Sequence, residues 1–483
     1  MSCCRSSRTT GQGCSTSFHG ENSRVLIGTG ALVTVAGGPA PAVQKYLQTP
    51  RSHQERGRRP MALVPPLLAV AALLLALPLG SRAGGLHPVV LVPGYGSNHL
   101  DAMLTESYEP PAPACAAAAA ADRLGWFPLW PDHPATRDAN QLPCFADQMS
   151  LVYDAGADDY RNADGVATRA PHFGSTRSLI GWDRLVRQLE DMGYRDGETL
   201  LAAPYDFRYA VAPPGHPSTV GARYFSDLAR LLRSSRLSTG RPAIVVAHSF
   251  GCALTYQFLL SRPLPWRRRH VRHVVFLGSA LGGFAPGMHA LGAGMDYGLP
   301  GMSRPTMLRL ARSQQSALWR LPTPLVFGDM PLAVVSAAAG NATATTYTAR
   351  NMSGFLEAIG FGEAVRPYET RVLPMWEALP APMVPVTSVV GCGVRTPETY
   401  VFGKDGFEGE PEVVYGDGDG DINTVSLAAI EGWAEVEGQA LEVVRLPGVR
   451  HSGFFSVDFA VDTVVDEIYK AGGGVEFDRG FSI

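Results

Sequence analysis

The chain has 483 residues, of which 46% are hydrophobic and 18% charged, and its formal net charge is -3. That balance excludes a disordered polymer and a polytopic membrane protein, and its basic residues are too dispersed for a nucleic-acid footprint. The length is enough to bury a sizeable core and fits one enlarged α/β domain with insertions.

In chain order, residues 1–60 carry eight Lys or Arg against Glu21 and Glu55, together with three of the seven cysteines. Nothing in them reads as a packed domain, so they are an unstructured extension, a transit segment or a gene-model artefact. The stretch MALVPPLLAVAALLLALPLGSRAGG, from Met61, has a basic run before it, an apolar core and the small-x-small ending Ser81-Arg82-Ala83. This is the anatomy of a secretory signal peptide. The alternative is a signal-anchor holding the chain in the endoplasmic-reticulum membrane, against which stand Pro65, Pro66 and Pro78 in a stretch of marginal spanning length. The expected body, residues 84–483, is then secreted, vacuolar or lumenal. Its four cysteines, Cys115, Cys144, Cys252 and Cys392, have access to disulfide chemistry, and the sequons at Asn341 and Asn351 are candidates for glycosylation.

From residue 84 onward, strand-like and helix-like segments alternate, which predicts an α/β fold with a mainly parallel sheet covered on both faces. HPVVLV (87–92) reads as an early buried strand. Residues 178–192 and 218–235 place apolar side chains at helical spacing, the first ending at Gly193. AIVVA (243–247), HVVFLG (273–278), VPVTSVVG (384–391) and LEVVRL (441–446) are β-branched runs bounded by Gly or Pro. Two excursions interrupt the rhythm: residues 100–150, rich in Pro, Ala and aromatics, and residues 285–383, rich in Gly, Pro, Met and Leu without clear strands. They read as a lid and a cap over a catalytic sheet. The cluster Arg267-Arg268-Arg269-His270 with Arg272 reads as a solvated loop, with contact to an anionic lipid surface as its alternative.

AHSFG (247–251), after a buried strand and before an amphipathic run, is a nucleophile elbow with Ala247 in place of the usual first glycine. Small residues two positions either side of Ser249 let it occupy a sharp turn, and the Phe250 N–H then points at a developing oxyanion. A serine nucleophile needs a base and an orienting carboxylate, which follow it in the order acid, then histidine. Of His270, His273, His289 and His451, only His451 lies in a loop after a late strand and before a terminal helix. The loop GDGDGDIN (416–423) presents Asp417, Asp419 and Asp421. A calcium loop would then need Gly at 422 and Glu at 428, where this chain has Ile422 and Ala428, so a turn carrying the acid is the better reading.

Together HPVVLVPGYGSNHLDAML, AAPYDFR (202–208), AHSFGC (247–252), LPTP (321–324), GDGDG (416–420) and PGVRHSGFFS (447–456), in this order, resemble the lecithin–cholesterol acyltransferase family over about residues 87–470. The plant lecithin–cholesterol acyltransferase-like branch is most similar, with phospholipid:diacylglycerol acyltransferases and lysosomal phospholipase A2 as relatives. The resemblance implies an α/β-hydrolase fold with lid and cap, and a triad of Ser249, Asp419 and His451. Asp421 is second choice for the acid, because it stands where the family usually has Thr. It implies a second oxyanion amide at Tyr95, a lid disulfide between Cys115 and Cys144, a lipid-contacting lid tryptophan at Trp130, for which a core aromatic is the alternative, and an unpaired thiol at Cys252. It gives Cys392 no role. LGSALGG (277–283) departs from the family's usual Ala-Pro-Trp-Gly-Gly near the acyl pocket.

The expected activity is transfer of a fatty acyl group from a phospholipid, through a seryl acyl-enzyme, to a sterol or a glyceride such as diacylglycerol at a membrane or lipid surface. A phospholipase or esterase with water as acceptor, and a non-catalytic lipid-binding protein, are the alternatives. The chemistry requires no metal and no organic cofactor, and no nucleic-acid partner is expected. His133 and Asp138 match an H-x4-D pattern similar to that of glycerol-phosphate acyltransferases, a match loose enough to arise by chance.

Overall fold

The computed structural model describes residues 86–116, 125–294, 299, 301–336 and 344–474. The extension, the signal-like stretch 61–83 and Asn341 lie outside them. No helix among the described residues is long and apolar enough to cross a membrane.

Six strands form the central sheet: β1 (Val89–Val92), β2 (Leu200–Ala202), β3 (Ala243–His248), β4 (Val271–Leu277), β5 (Val386–Cys392) and β6 (Leu441–Pro447). Their spatial order is β6-β5-β4-β3-β1-β2, and every pairing is parallel. Side chains alternate between two buried faces, as strand geometry requires. Val89, Leu91, Ile244 and Val246 pack towards α1 (Asp183–Asp191) and α5 (Asp458–Ala471). Val90, Val92, Val245 and Ala247 pack towards α2 (Thr219–Thr239) and α3 (Phe250–Leu260). Strand order reverses at β1: the chain moves to β2 on one side and returns to β3 on the other. In such open sheets the crevice at the carboxyl ends of β1 and β3 is where ligands bind. This is an α/β-hydrolase fold.

Three sequence expectations change. The helix expected over 178–192 is confined to α1. Ile180 N–H instead donates to Ser97 O (2.9 Å), and the Thr176 amide and Ser175 hydroxyl are taken by Asp196 (2.6 and 2.7 Å). These tertiary bonds override local helical spacing. The 285–383 excursion is largely short helices but does contain strands, Ala333–Val335 and Thr345–Tyr347, which extend a second sheet built on the hairpin Val394–Phe402 and Glu412–Gly418. Neither strand has enough alternation to be seen without that partner. The basic cluster is a helix, α4 (Leu264–His270), not a solvated loop. Its Arg267 holds the carbonyls of Arg262 (2.8 Å) and Pro382 (2.9 Å).

The first excursion pairs Leu100–Leu104 with Phe127–Trp130 and Val166–Arg169, and Cys115 and Cys144 are joined by a disulfide. One fully buried side chain ties this region to the core. Arg208, from the AAPYDFR stretch, forms an ion pair with Asp206 (2.6 Å) and donates to Asn162 Oδ1 (2.7 Å), Thr168 Oγ1 (2.8 Å) and Met149 O (3.3 Å).

Candidate active site

Ser249 lies between the end of β3 and the start of α3 with φ 53° and ψ -123°. A positive φ is costly for a residue with a Cβ and marks a strained turn. The strain is held by close packing on both sides. A Cβ on Gly251 would lie 2.3 Å from Pro93 O, and one on Gly94 would lie 3.1 Å from Ser249 Cβ. The β1 loop therefore packs directly on the elbow through Pro93 and Gly94, which Tyr95 follows. Phe250 opens α3, so its N–H is among those a helix leaves uncommitted at its start.

His451 follows β6 and sits against the end of β4. A Cβ on Gly278 would be 2.9 Å from His451 Nδ1, and the preceding Leu277 carbonyl accepts the Ser249 amide (3.0 Å). The His451 ring donates from Nδ1 to Asp419 Oδ2 (2.7 Å), and its backbone N–H donates to Asp419 O (2.8 Å). A proton fixed on Nδ1 leaves Nε2 as the basic nitrogen. Burial works against charge on this imidazole, but the Asp419 carboxylate, its hydrogen bond and the further charge of Asp421 outweigh it, so its pKa is raised above the ordinary value.

Asp419 is fully buried. Its Oδ1 accepts the amides of Asp421 (3.1 Å) and Ile422 (2.7 Å), which leaves Oδ2 for the histidine. Asp421 is exposed and contributes its N–H to this arrangement; Asp419 is the carboxylate bonded to the ring. Asp417 Oδ1 accepts Gly393 N–H (2.7 Å) and Gly418 N–H (2.8 Å). Asp417 and Asp419 thus act as acceptors of backbone amides. Among the described residues no group of three or more His, Cys, Asp or Glu is placed to hold a metal ion.

Other residues brought to the site had no clear sequence signal. His248 donates from Nε2 to His451 O (3.0 Å), with the two rings 4.7 Å apart. Burial, and then the neighbouring His451, hold its pKa well below the ordinary value, so it stays neutral behind the base. Asn423 accepts Ala285 N–H (3.0 Å) and Ser426 Oγ accepts Gly282 N–H (3.1 Å), clamping the 282–285 turn to the end of the aspartate loop and the helical turn that follows it. From the second excursion, Gln314 accepts the Tyr95 hydroxyl, and the Arg320 guanidinium lies 3.9 Å above the Tyr95 ring.

The remaining expected residues fall as follows. Trp130 is half-buried; its indole N–H donates to Gly96 O (2.8 Å) in the β1 loop, and its ring packs with Phe145 and Phe207. Cys252 is buried and its thiol bonds to Ala247 O (3.1 Å). Burial pushes that thiol well above its ordinary pKa. Asn351 is exposed, with its side-chain oxygen accepting Thr348 N–H (2.8 Å). His133 is buried and has both ring nitrogens committed, accepting Ala135 N–H at Nδ1 (3.0 Å) and bonding Gln148 at Nε2 (2.8 Å). Burial lowers its pKa to about 4.

A family model described as Lecithin:cholesterol acyltransferase matches residues 126–372, which contain the elbow. The chain belongs to the lecithin:cholesterol acyltransferase family. Lecithin-cholesterol acyltransferase-like 1 of Oryza sativa subsp. japonica is 64% identical, covering 85% of this chain and 94% of that protein. Its namesake in Arabidopsis thaliana is 38% identical, covering 79% and 89%. Lysosomal phospholipase A and acyltransferase of Canis lupus familiaris is 31% identical, covering 82% and 94%. Membership makes the chain an acyltransferase-type enzyme. The family match ends before Asp419 and His451, so their assignment rests on the geometry above.

Proposed function

We propose that this chain is a lipid O-acyltransferase that takes a fatty acyl group from a phospholipid and passes it to a sterol or glyceride hydroxyl, with water as the competing acceptor. The observation that carries the reading is the buried Asp419–His451 pair (2.7 Å) held beside the strained Ser249 elbow.

In this mechanism His451 Nε2 takes the Ser249 hydroxyl proton as the oxygen attacks the ester carbonyl. The Tyr95 and Phe250 amides stabilise the oxyanion, and Asp419 stabilises the imidazolium that forms. Collapse breaks the ester bond, His451 returns the proton to the departing lysophospholipid oxygen, and the acyl group remains on Ser249. An acceptor hydroxyl then repeats the sequence in reverse order. How far the lid and cap exclude water sets the balance between transfer and hydrolysis. The signal-like stretch from Met61 supports a secretory route for this activity.

The test is incubation of purified protein with acyl-labelled phospholipid, with and without sterol or diacylglycerol. Labelled sterol ester or triacylglycerol is expected. Free fatty acid under every condition would reduce the reading to a phospholipase, a reading that the name of the canine relative keeps open. Ser249→Ala should abolish both products, and undiminished turnover in that variant would remove Ser249 as the nucleophile and with it this mechanism.

A further inference from the structure

At the opposite end of the sheet strands, where β3 and β4 begin, the end of α2 and helix α4 flank an open pocket of about 580 Å3. Arg233, Arg236, Arg269 and His270 line its polar side, and Leu237 and Trp266 its apolar side. Ser249 leaves the carboxyl end of β3 and α2 enters near its start, so the six-residue strand separates the two places by ~20 Å.

The local charge is one-sided. Between Asp227 and Asp296 the sequence holds nine arginines and no carboxylate, and Asp227 itself is paired with Arg230 (3.0 Å). Arg267 is committed to backbone carbonyls, whereas among the described residues no carboxylate is bonded to Arg233, Arg236 or Arg269. Arg236 Nε is buried and has no hydrogen-bond partner. All three arginines line the pocket together with His270. Burial, and then the charges of Arg236, Arg269 and Arg233, hold His270 below its ordinary pKa, while its Nδ1 contact with Trp266 O (3.1 Å) acts the other way. The Trp266 and His270 rings stack at 4.5 Å, which makes that wall rigid.

Like charges gathered at one concave site repel each other and concentrate anions there. A carboxylate is satisfied by a single guanidinium fork, but a phosphate monoester carries close to two charges and three strong acceptor oxygens, enough for several arginines. The volume lies within the range of small-ligand sites. Leu237, 82% exposed at the rim, offers contact for an apolar or glycerol portion beside the phosphate. We propose that this pocket binds the phosphate monoester group of an anionic ligand, at a site separate from the Ser249 centre. The same chemistry is presented by a soluble phosphomonoester and by the headgroup of phosphatidate in a membrane.

The test uses the whole protein with two probes: glycerol 3-phosphate by titration calorimetry, and sedimentation with phosphatidylcholine vesicles with or without phosphatidate. Binding to glycerol 3-phosphate assigns a soluble ligand, and binding only to phosphatidate vesicles assigns a lipid one. In either case Arg236→Gln should weaken binding about tenfold or more, the effect of losing a charge-assisted bond. Arg269→Gln, an exposed position that tolerates change, should weaken it in the same direction if the first variant folds poorly. Hydrolysis of a soluble short-chain ester should be unchanged in both. No binding to either probe, binding that both variants leave intact, or equal weakening by the remote exposed substitution Arg187→Gln would overturn the proposal.

Discussion

The Ser249 elbow is assembled within one strand–turn–helix and the neighbouring β1 loop, whereas the Asp419–His451 pair depends on a hairpin that leaves the central sheet and returns to it. Around Ser249 the decisive contacts are short backbone approaches at Gly94 and Gly251. The acid arrives differently. From the end of β5 the chain runs out along Val394–Phe402 and back along Glu412–Gly418, and the register Val394↔Gly418 sets Asp419 beside its starting point. Gly391 makes the close approach possible: a Cβ there would lie 2.1 Å from Val449 O and 3.0 Å from Asp419 Cβ. A nucleophile built locally is robust to change elsewhere. An acid–base pair built from three separate segments is exposed to any shift between them.

The largest effect expected on that contrast comes from Asp419→Asn. It keeps the shape but removes the carboxylate, and should lower acyl turnover by about 1,000- to 10,000-fold with the fold intact by circular dichroism. The pH profile gives the accompanying sign. His451 acts as a base when neutral, and its pKa is raised, so the acid limb of kcat/KM in the parent protein should lie above the ordinary histidine value of about 6.5. Removing Asp419 removes the main raising influence, and the limb should move to lower pH. An unmoved limb would mean that another group sets it. The raised pKa also stabilises the fold, fully below the ordinary histidine value, and that contribution is lost as pH rises through the folded-state pKa.

A mid-sized effect is expected from Gly391→Ala. The added methyl must displace Val449 or Asp419, costing about 1–3 kcal/mol in urea denaturation. Activity should fall well beyond what that loss of stability explains, because the pair itself moves. Proportional losses would show that the hairpin does not position the acid. The smallest effect belongs to the elbow. Cys252→Ala removes the weak thiol contacts to Ala247 O and Leu277 O and a buried sulfur, so stability should drop by about 1 kcal/mol and turnover should stay within about threefold. A large loss of turnover would mean the elbow is not held by its glycines alone.

Legibility followed the range of the interactions. β1, β3, β4 and β5 were visible as β-branched runs because both faces of the sheet interior are largely buried, which leaves a near-continuous apolar signature, whereas the edge strand β6, half-exposed, shows only through Leu441, Val443, Val444 and Leu446. The three-residue β2 carries too little pattern to stand out. The helix expected over 178–192 starts later because Ser97 captures the Ile180 amide and Asp196 holds the preceding turn at Ser175 and Thr176, and spacing does not report such partners. His248 stands within the elbow sequence, yet its bond to a carbonyl 203 positions away has no local trace. The arginine cluster was visible as charge, but its pocket needed the end of α2 to meet α4.

Sequence by itself determined the parallel sheet, the elbow at Ser249 and the order of serine, acid and histidine, since each depends on side-chain periodicity or on small residues at fixed offsets. Only the tertiary structure decided between Asp419 and Asp421. Both stand in the same glycine-rich loop and are equal as chemistry. What separates them is that the amides of Asp421 and Ile422 occupy one oxygen of Asp419 and turn the other towards His451, an arrangement that exists only once β5, the returning hairpin and the β6 loop are packed together.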